Sequence, residues 1–241
     1  MSTPAAQTKT YPLDPDALTD ALGTCHSAVV FGEARIVCLV PSITELLCDL
    51  GLGASLVGRT RYCIHPEDVL RAVPSVGGTK KIHVDQVAAL HPTHAILNVD
   101  ENTEEIARQI AEIVPHVVVT HPLKPLDNVP LYRFLGRLFG CEVAAEVLCK
   151  RFSVAYQRLA EDAASWPARR VLYVIWKNPW MTVSGDTYVS QMLALARLQT
   201  QGHDPERRYP VVSLGDPALE SLDAWLLSSC LLYTSPSPRD S

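Results

Sequence analysis

Five ring-bearing residues sit in polar loops where a ligand would meet them. Tyr62 and His65 lie in the segment RTRYCIHP (59–66), Trp176 and Trp180 in WKNPWM (176–181), and Tyr209 in RRYP (207–210). Large flat side chains at loop positions suit a large, flat, partly apolar ligand. The competing reading makes them core aromatics. For Tyr62 and Trp180 the ligand reading is favoured, because a loop aromatic has less core to join. For Trp176, at the end of an apolar run, the two readings stand level. His65 shares the Tyr62 loop, and its imidazole is of a type that ligates metals. No companion set assembles around it from Cys63 or Asp100, so it is taken as a ligand contact and no metal site is expected. The alternatives are a ferric chelate or haem, with Arg59, Arg61 and Lys177 available to an anionic chelate. A further alternative, a cytosolic metal- or cofactor-handling protein or enzyme, would need the ligand set that does not assemble.

Catalytic patterns are absent from the sequence. No glycine-rich phosphate loop follows the first strand, and Gly77-Gly78-Thr79-Lys80 lacks the spacing of one. No G-x-S-x-G elbow occurs. The pair His91/His94 straddles Pro92, and His116/His121 spans a strand, so neither is an i,i+4 zinc pair on a helix. The expectation is a binding protein with no catalytic residue and no catalytic cofactor.

The elements that position these loops alternate. Arg35–Val40 (RIVCLV) is a buried strand. It runs into a helix for which Ser42 and Glu45 have capping-box spacing, and Gly51 ends that helix. A short strand follows at Leu56–Gly58, then a helix at Val84–Leu90 and a strand at His94–Val99. Asn102 is expected to cap a helix to about Ile113. His116–Thr120 is a strand, and Asp127 is expected to cap a helix to Phe139. Residues 141–165 then read as one long helix with Val143, Val147, Leu148, Phe152, Ala155 and Leu159 near one face. After Trp166-Pro167 the rhythm restarts, with strand Arg170–Trp176, helix Asp186–Arg197, a short helix near Asp216–Leu222 and strand Ala224–Ser229.

This order predicts an α/β chain with two Rossmann-like lobes joined by one long backbone helix, the second lobe truncated. The divisions are 1–34, an N-terminal extension with one short helix near Pro15–Leu22; 35–140, the first lobe; 141–166, the connecting helix; 167–229, a partial second lobe; and 230–241, a tail. In open α/β sheets ligands bind beyond the carboxyl ends of strands, where Pro41, Tyr62, Asn98 and Trp176 fall.

The chain has 241 residues, 47% hydrophobic and 20% charged, with a net charge of -5. It can bury a core, and its acidic balance argues against nucleic acid as a partner. No stretch reaches the length of a membrane-spanning helix. The first residues show no basic cluster followed by an apolar core, so the chain as it stands is expected in the cytoplasm, and in the periplasm if the true start lies upstream. Seven cysteines occur without a CxxC pair and read as reduced, structural thiols. The tail Cys230–Asp240, CLLYTSPSPRD, resembles a translated sequencing adapter and is expected not to be part of the natural protein.

The segment RIVCLVPSITELLCDLGLGASLVGRTRYCIHP (35–66) resembles the opening of the helical-backbone periplasmic binding proteins, above all the cobalamin-binding subunits of ABC importers. SVGGTKK (75–81), ALHPTHAILNVDEN (89–102) and VLYVIWKNPWMTVSGDTYVSQML (171–193) are similar in order and spacing. The resemblance spans about Arg35 to Ser229. It implies a small-molecule ligand, a corrinoid or metal chelate, held between the lobes by a monomer and delivered to a transporter permease. It places Pro41, Tyr62, Trp180 and Tyr209 at or beside ligand positions, and Asn98 and Gly77 where relatives can carry tryptophan. It matches Asp85 to one permease-docking acid. The second docking position falls at Gly215, beside Asp216 and Glu220.

Overall fold

The run Arg35–Val40 forms β1 (Ile36–Cys38) in the computed structural model, which describes residues 9–213 and 215–228. All three β1 residues are buried, as a strand covered on both faces must be. β1 pairs in parallel with β2 (Leu56–Arg59) and β3 (His94–Asn98), and β3 with β4 (His116–Thr120), giving the order β2-β1-β3-β4. The chain leaves β1 in one direction to make β2 and returns past it to make β3. Beside such a reversal, at the carboxyl ends of β1 and β3, open α/β sheets hold their ligands.

Alternation along the strands sends side chains to two cores. Ile36, Cys38, Ile96 and Val118 face one cluster, with Ile43 and Leu47 of α1 (Pro41–Asp49) and Phe134 and Leu138 of α5 (Asn128–Leu138). Val37, Leu39, Ala95, Leu97 and Val119 face the other. Val87 of α3 (Val84–Ala89) and Ile106 and Ile110 of α4 (Glu104–Ala111) close it. A one-turn helix α2 (Glu67–Leu70), not anticipated from the sequence, follows the Tyr62 loop.

Helix ends follow local chemistry only in part. Gly51 ends α1 as expected. It takes φ +82°, and the amides of Gly51 and Leu52 donate to the carbonyls of Cys48 and Leu47, which closes the last turn. The Ser42/Glu45 box does not form. Val40 is the N-cap without a side-chain bond, and Pro41 at the first turn needs no amide acceptor. Thr103, not Asn102, caps α4 by accepting from the Ile106 amide. The Asp127 carboxylate accepts from the amides of Leu123 and Lys124, which precede it, bracing the turn before α5.

The expected long helix is α6 (Glu142–Ala163). Of the expected face, Leu148, Phe152 and Leu159 are half-buried, with Leu148 on the first core, while Val143, Val147 and Ala155 turn outward. Ala145 and Cys149 are buried, while Val143 is 83% exposed and Val147 52%. Close approach of α5 explains the choice, because a Cβ on Gly136 would lie 2.5 Å from the Ala145 methyl. Only small residues fit that seam.

The chain divides into two compact units, Met1–Pro122 with Asn128–Arg151, and Leu123–Asp127 with Phe152–Ser241, so α6 contributes to both. The second unit holds β5 (Arg169–Val174), α7 (Tyr188–Leu195), β6 (Leu198–Thr200) and β7 (Ala224–Leu227). Its sheet is parallel in the order β6-β5-β7. The strand β6 was not anticipated, since LQT carries no apolar run. The expected helix near Asp216–Leu222 is a 3-10 turn, Pro217–Leu219. Ser229 and the tail Cys230–Asp240 lie outside the described residues.

Within the N-terminal extension, no helix forms near Pro15–Leu22. Pro15–Leu18 is a turn closed by the Asp14–Thr19 bridge, and Leu13, Leu18 and Val29 pack on the first core.

Candidate functional site

The first unit presents its loops at the carboxyl ends of four parallel strands. Pro41 follows β1 and is half-buried. Tyr62 follows β2 and is 51% exposed, and His65 in the same loop is also exposed. The Arg61 guanidinium donates to the Tyr62 hydroxyl at 2.8 Å and lies 4.9 Å from the ring centroid. Beneath them, a Cβ on Gly78 would come within 3.3 Å of the Tyr62 ring.

Gly78 belongs to a tight hairpin, 77–82, closed by the Gly78 amide on the Lys81 carbonyl at 2.7 Å. Gly77 takes φ +122°, and a Cβ there would stand 2.6 Å from the Lys81 carbonyl oxygen. The position can hold no ring on this backbone. The hairpin is tied to the β2 loop by the Arg61 amide on the Gly77 carbonyl at 2.8 Å. It is tied to the β3 loop by the Lys80 ammonium on the Asp100 carbonyl at 2.8 Å.

Asn102 joins the ends of β1 and β3 to the 77–82 hairpin. Its buried amide donates to the carbonyls of Leu39 at 3.3 Å and Thr79 at 3.0 Å, and its oxygen accepts from the Asn98 amide at 2.9 Å. Asn98 is also committed within the chain. Its oxygen accepts from the amides of Asp100 and Glu101, and its nitrogen donates to Thr120. As a ligand contact Asn98 is therefore left with little free hydrogen-bonding capacity, and it serves the loop that carries Asp100 and Glu101.

Charge gathers on that loop. Desolvation raises the Glu101 carboxyl above its ordinary value against the pull of Lys80. Desolvation likewise lowers the Lys80 ammonium, opposed by Glu101 and Asp100. His121, after β4, stands 3.6 Å from the Asp100 carboxylate and bonds Thr10 at 3.0 Å. Under the loops, the buried Cys63 thiol meets the hydroxyls of Thr44 and Thr60, and burial pushes Cys38 up to about 12. Such a thiol is a small hydrophobe, not a nucleophile.

The second unit has its own loops. The chain reverses between β6 and β7 around the central β5, and Trp176 emerges beyond the end of β5, 49% exposed. The loop Lys177–Pro179 returns through a bridge between Trp176 and Met181, with Asn178 at φ +65°. Trp180 is half-buried and packs on the Leu172, Val174 and Leu219 core, with the Lys177 ammonium 5.7 Å from its ring centroid. The sequence favoured Trp180 over Trp176 as a ligand contact. The exposures run the other way, because the loop folds Trp180 back over a small core. Tyr209 is half-buried in a segment antiparallel to 180–184, held by the Thr182 amide on the Pro210 carbonyl and the Ser184 amide on the Arg208 carbonyl.

Asp85 is exposed in the first turn of α3, and Gly215, Asp216 and Glu220 are exposed around the 3-10 turn. Among the described residues no group of three His, Cys, Asp or Glu side chains is placed to hold a metal ion. Among them, too, no helix is long and apolar enough to cross a membrane. The sequence missed the bracing role of Asn102, whose signal was its place between a strand end and a threonine able to cap. It also missed Gly78, whose lack of a side chain seats the Tyr62 ring.

The fold has solved relatives. The periplasmic vitamin B12 binding protein BtuF of Vibrio cholerae superposes with a TM-score of 0.72 at 19% identity, over 86% of this chain and 81% of that one. A periplasmic heme binding protein from Pseudomonas aeruginosa gives 0.72 at 22%, over 80% and 71%. The heme-binding protein RhuT from Roseiflexus sp. RS-1 gives 0.67 at 22%, over 76% and 71%. Among curated protein sequences, none matches. The periplasmic binding protein family Peripla_BP_2 matches residues 36–239, a span that takes in most of the adapter-like tail. With that match covering most of its length, the chain belongs to the periplasmic binding protein family.

Proposed function

We propose that the chain is a substrate-binding protein for a corrinoid of the cobalamin type, which it holds without transforming and hands to an ABC-type importer. The observation that carries the reading is the exposed aromatic at the strand ends of each unit, Tyr62 in the first and Trp176 in the second. The solved neighbours support a flat tetrapyrrole-like ligand in either form, one binding vitamin B12 and others heme. Burying the exposed half of a Trp side chain removes on the order of 100 Å² of apolar surface, about 2.5 kcal/mol at 25 cal/mol per Å². The activity belongs to the periplasm, the compartment of the family. Asp85 and Asp216 are the proposed acids that meet the importer.

A second reading, haem, is favoured by one observation. The Tyr62 hydroxyl accepts from the Arg61 guanidinium, and a phenolic oxygen is among the groups that hold haem iron. Tyr62→Phe separates the two. It keeps the ring for a corrinoid and removes the oxygen donor for iron. Corrinoid binding that survives Tyr62→Phe within about threefold, with no haem binding by either form, supports the first reading. Haemin binding whose absorption spectrum changes in Tyr62→Phe replaces it with the second. Binding of neither ligand by the parent protein overturns both.

A further inference from the structure

We propose that residues 9–34 form a strap that blocks the open edge of β4 at Val119, and that this edge, once uncovered, pairs with a second copy of the chain. β4 is the last strand of its sheet. The His116 amide donates to Thr93 and the Thr120 carbonyl accepts from Val99, so these residues bond towards the β3 side. By the strand's two-residue alternation, the backbone groups of Val117 and Val119 point outward. The segment HVVVT carries three consecutive valines, no acidic or basic residue apart from His116, and no proline. An uncovered edge with that composition is a template for strand pairing between identical chains.

The strap meets that edge with strand-like bonds. The Ala21 amide donates to the Val119 carbonyl at 2.9 Å, and the Val119 amide donates to the Asp20 carboxylate at 3.0 Å. Both outward groups of Val119 are thereby satisfied, one by backbone and one by a side chain. Asp20 is the latch. Its carboxylate also accepts from the amides of Leu22 and Thr24, each at 2.9 Å, and stands 3.2 Å from His26 Nε2. The Asp20 and His26 side chains are 1% and 4% exposed. Burial pushes the carboxyl up, but His26 and the three amides outweigh it and hold it below its ordinary value. A carboxylate offers no amide of its own to a further strand, so it ends the ladder where a backbone would extend it. At the far end the Val29 amide donates to the Leu138 carbonyl at 2.8 Å, which fixes the strap to α5.

The strap pairs with an edge remote in sequence, and neither the ligand nor the importer enters this inference. Its test is therefore independent of the proposed function. Asp20→Ala and the milder Asp20→Asn are compared with the parent by hydrogen exchange at the Val119 amide and by sedimentation velocity over a hundredfold range of concentration. The expected result is exchange at Val119 at least tenfold faster and self-association at tenfold or more lower concentration than the parent, with native far-UV circular dichroism. Should Asp20→Ala fail to fold, Asp20→Asn decides. Faster Val119 exchange without increased association overturns the role of the edge, and unchanged exchange in the folded variants overturns the latch.

Discussion

Replacing Asn102 by Ala removes three hydrogen bonds from a side chain that is 8% exposed. A net bond is worth about 1 kcal/mol, and more when a buried partner is left unpaired, so the loss is about 3 kcal/mol. For a chain of this size each kcal/mol lowers the melting midpoint by about 2–4 °C, giving a shift of about 6–12 °C. The four tryptophans, Trp166, Trp176, Trp180 and Trp225, all lie in the second unit, so their fluorescence does not report this change directly. The measurement is far-UV circular dichroism on heating, together with native-state exchange of the Asn98 amide, which loses its acceptor. Asn102→Asp keeps the acceptor, loses the donors, and adds charge beside Asp100 and Glu101, so it should recover Asn98 protection better than it recovers stability. A midpoint within 1 °C of the parent, with Asn98 exchange unchanged, would refute the reasoning that Asn102 braces the ends of β1 and β3 against the hairpin.

Other outcomes follow from local physics. His94 is buried, stacked on His116 at 4.8 Å between ring centroids, and burial with the neighbouring His116 and His26 lowers it from 6.5 to about 4. The unfolded chain therefore takes the proton first as pH falls, and stability drops by roughly 3 kcal/mol between about pH 6.5 and 4, levelling below that. Urea titrations of the parent and His94→Leu should differ in slope over that window, and parallel curves would count against the stack as the cause. Gly77→Ala forces a side chain into a φ of +122° against the Lys81 carbonyl, and should cost more than about 2 kcal/mol by chemical denaturation. Trp180→Ala should lower the stability of the second unit by about 2 kcal/mol, as a half-buried core contact, whereas Trp176→Ala should change it by less than about 0.5 kcal/mol. Equal losses at the two positions would show that exposure does not separate them.

The sheet and the long helix were legible because buried parallel strands are continuous apolar runs. RIVCLV, HAILN and HVVVT announce themselves, and α6 lacks an internal breaker. What escaped was decided by neighbours. Val143 and Val147 looked inward by period, but the seam with Gly136 admits only Ala145, so the valines turn outward. Asn102 and Thr103 both have the chemistry of a cap, and the choice fell to Thr103 because Asn102 is held by Leu39 and Thr79, distant in sequence. Of the candidate contacts, Tyr62, His65 and Trp176 lie exposed, and Pro41, Trp180 and Tyr209 are half-buried. Trp180 turned to a core too small to see in sequence, and Asn98 to its own loop. The strap residues have no period at all, since turns, one carboxylate and a borrowed edge hold them.

The central claim is tested most directly by calorimetric titration of cyanocobalamin into the purified chain and its Trp176→Ala variant. The account predicts one-to-one binding that weakens roughly 10- to 60-fold in the variant, the upper figure being about 2.5 kcal/mol of lost burial at 1.4 kcal/mol per tenfold. No heat of binding in the parent, or equal affinity in the two proteins, would contradict it.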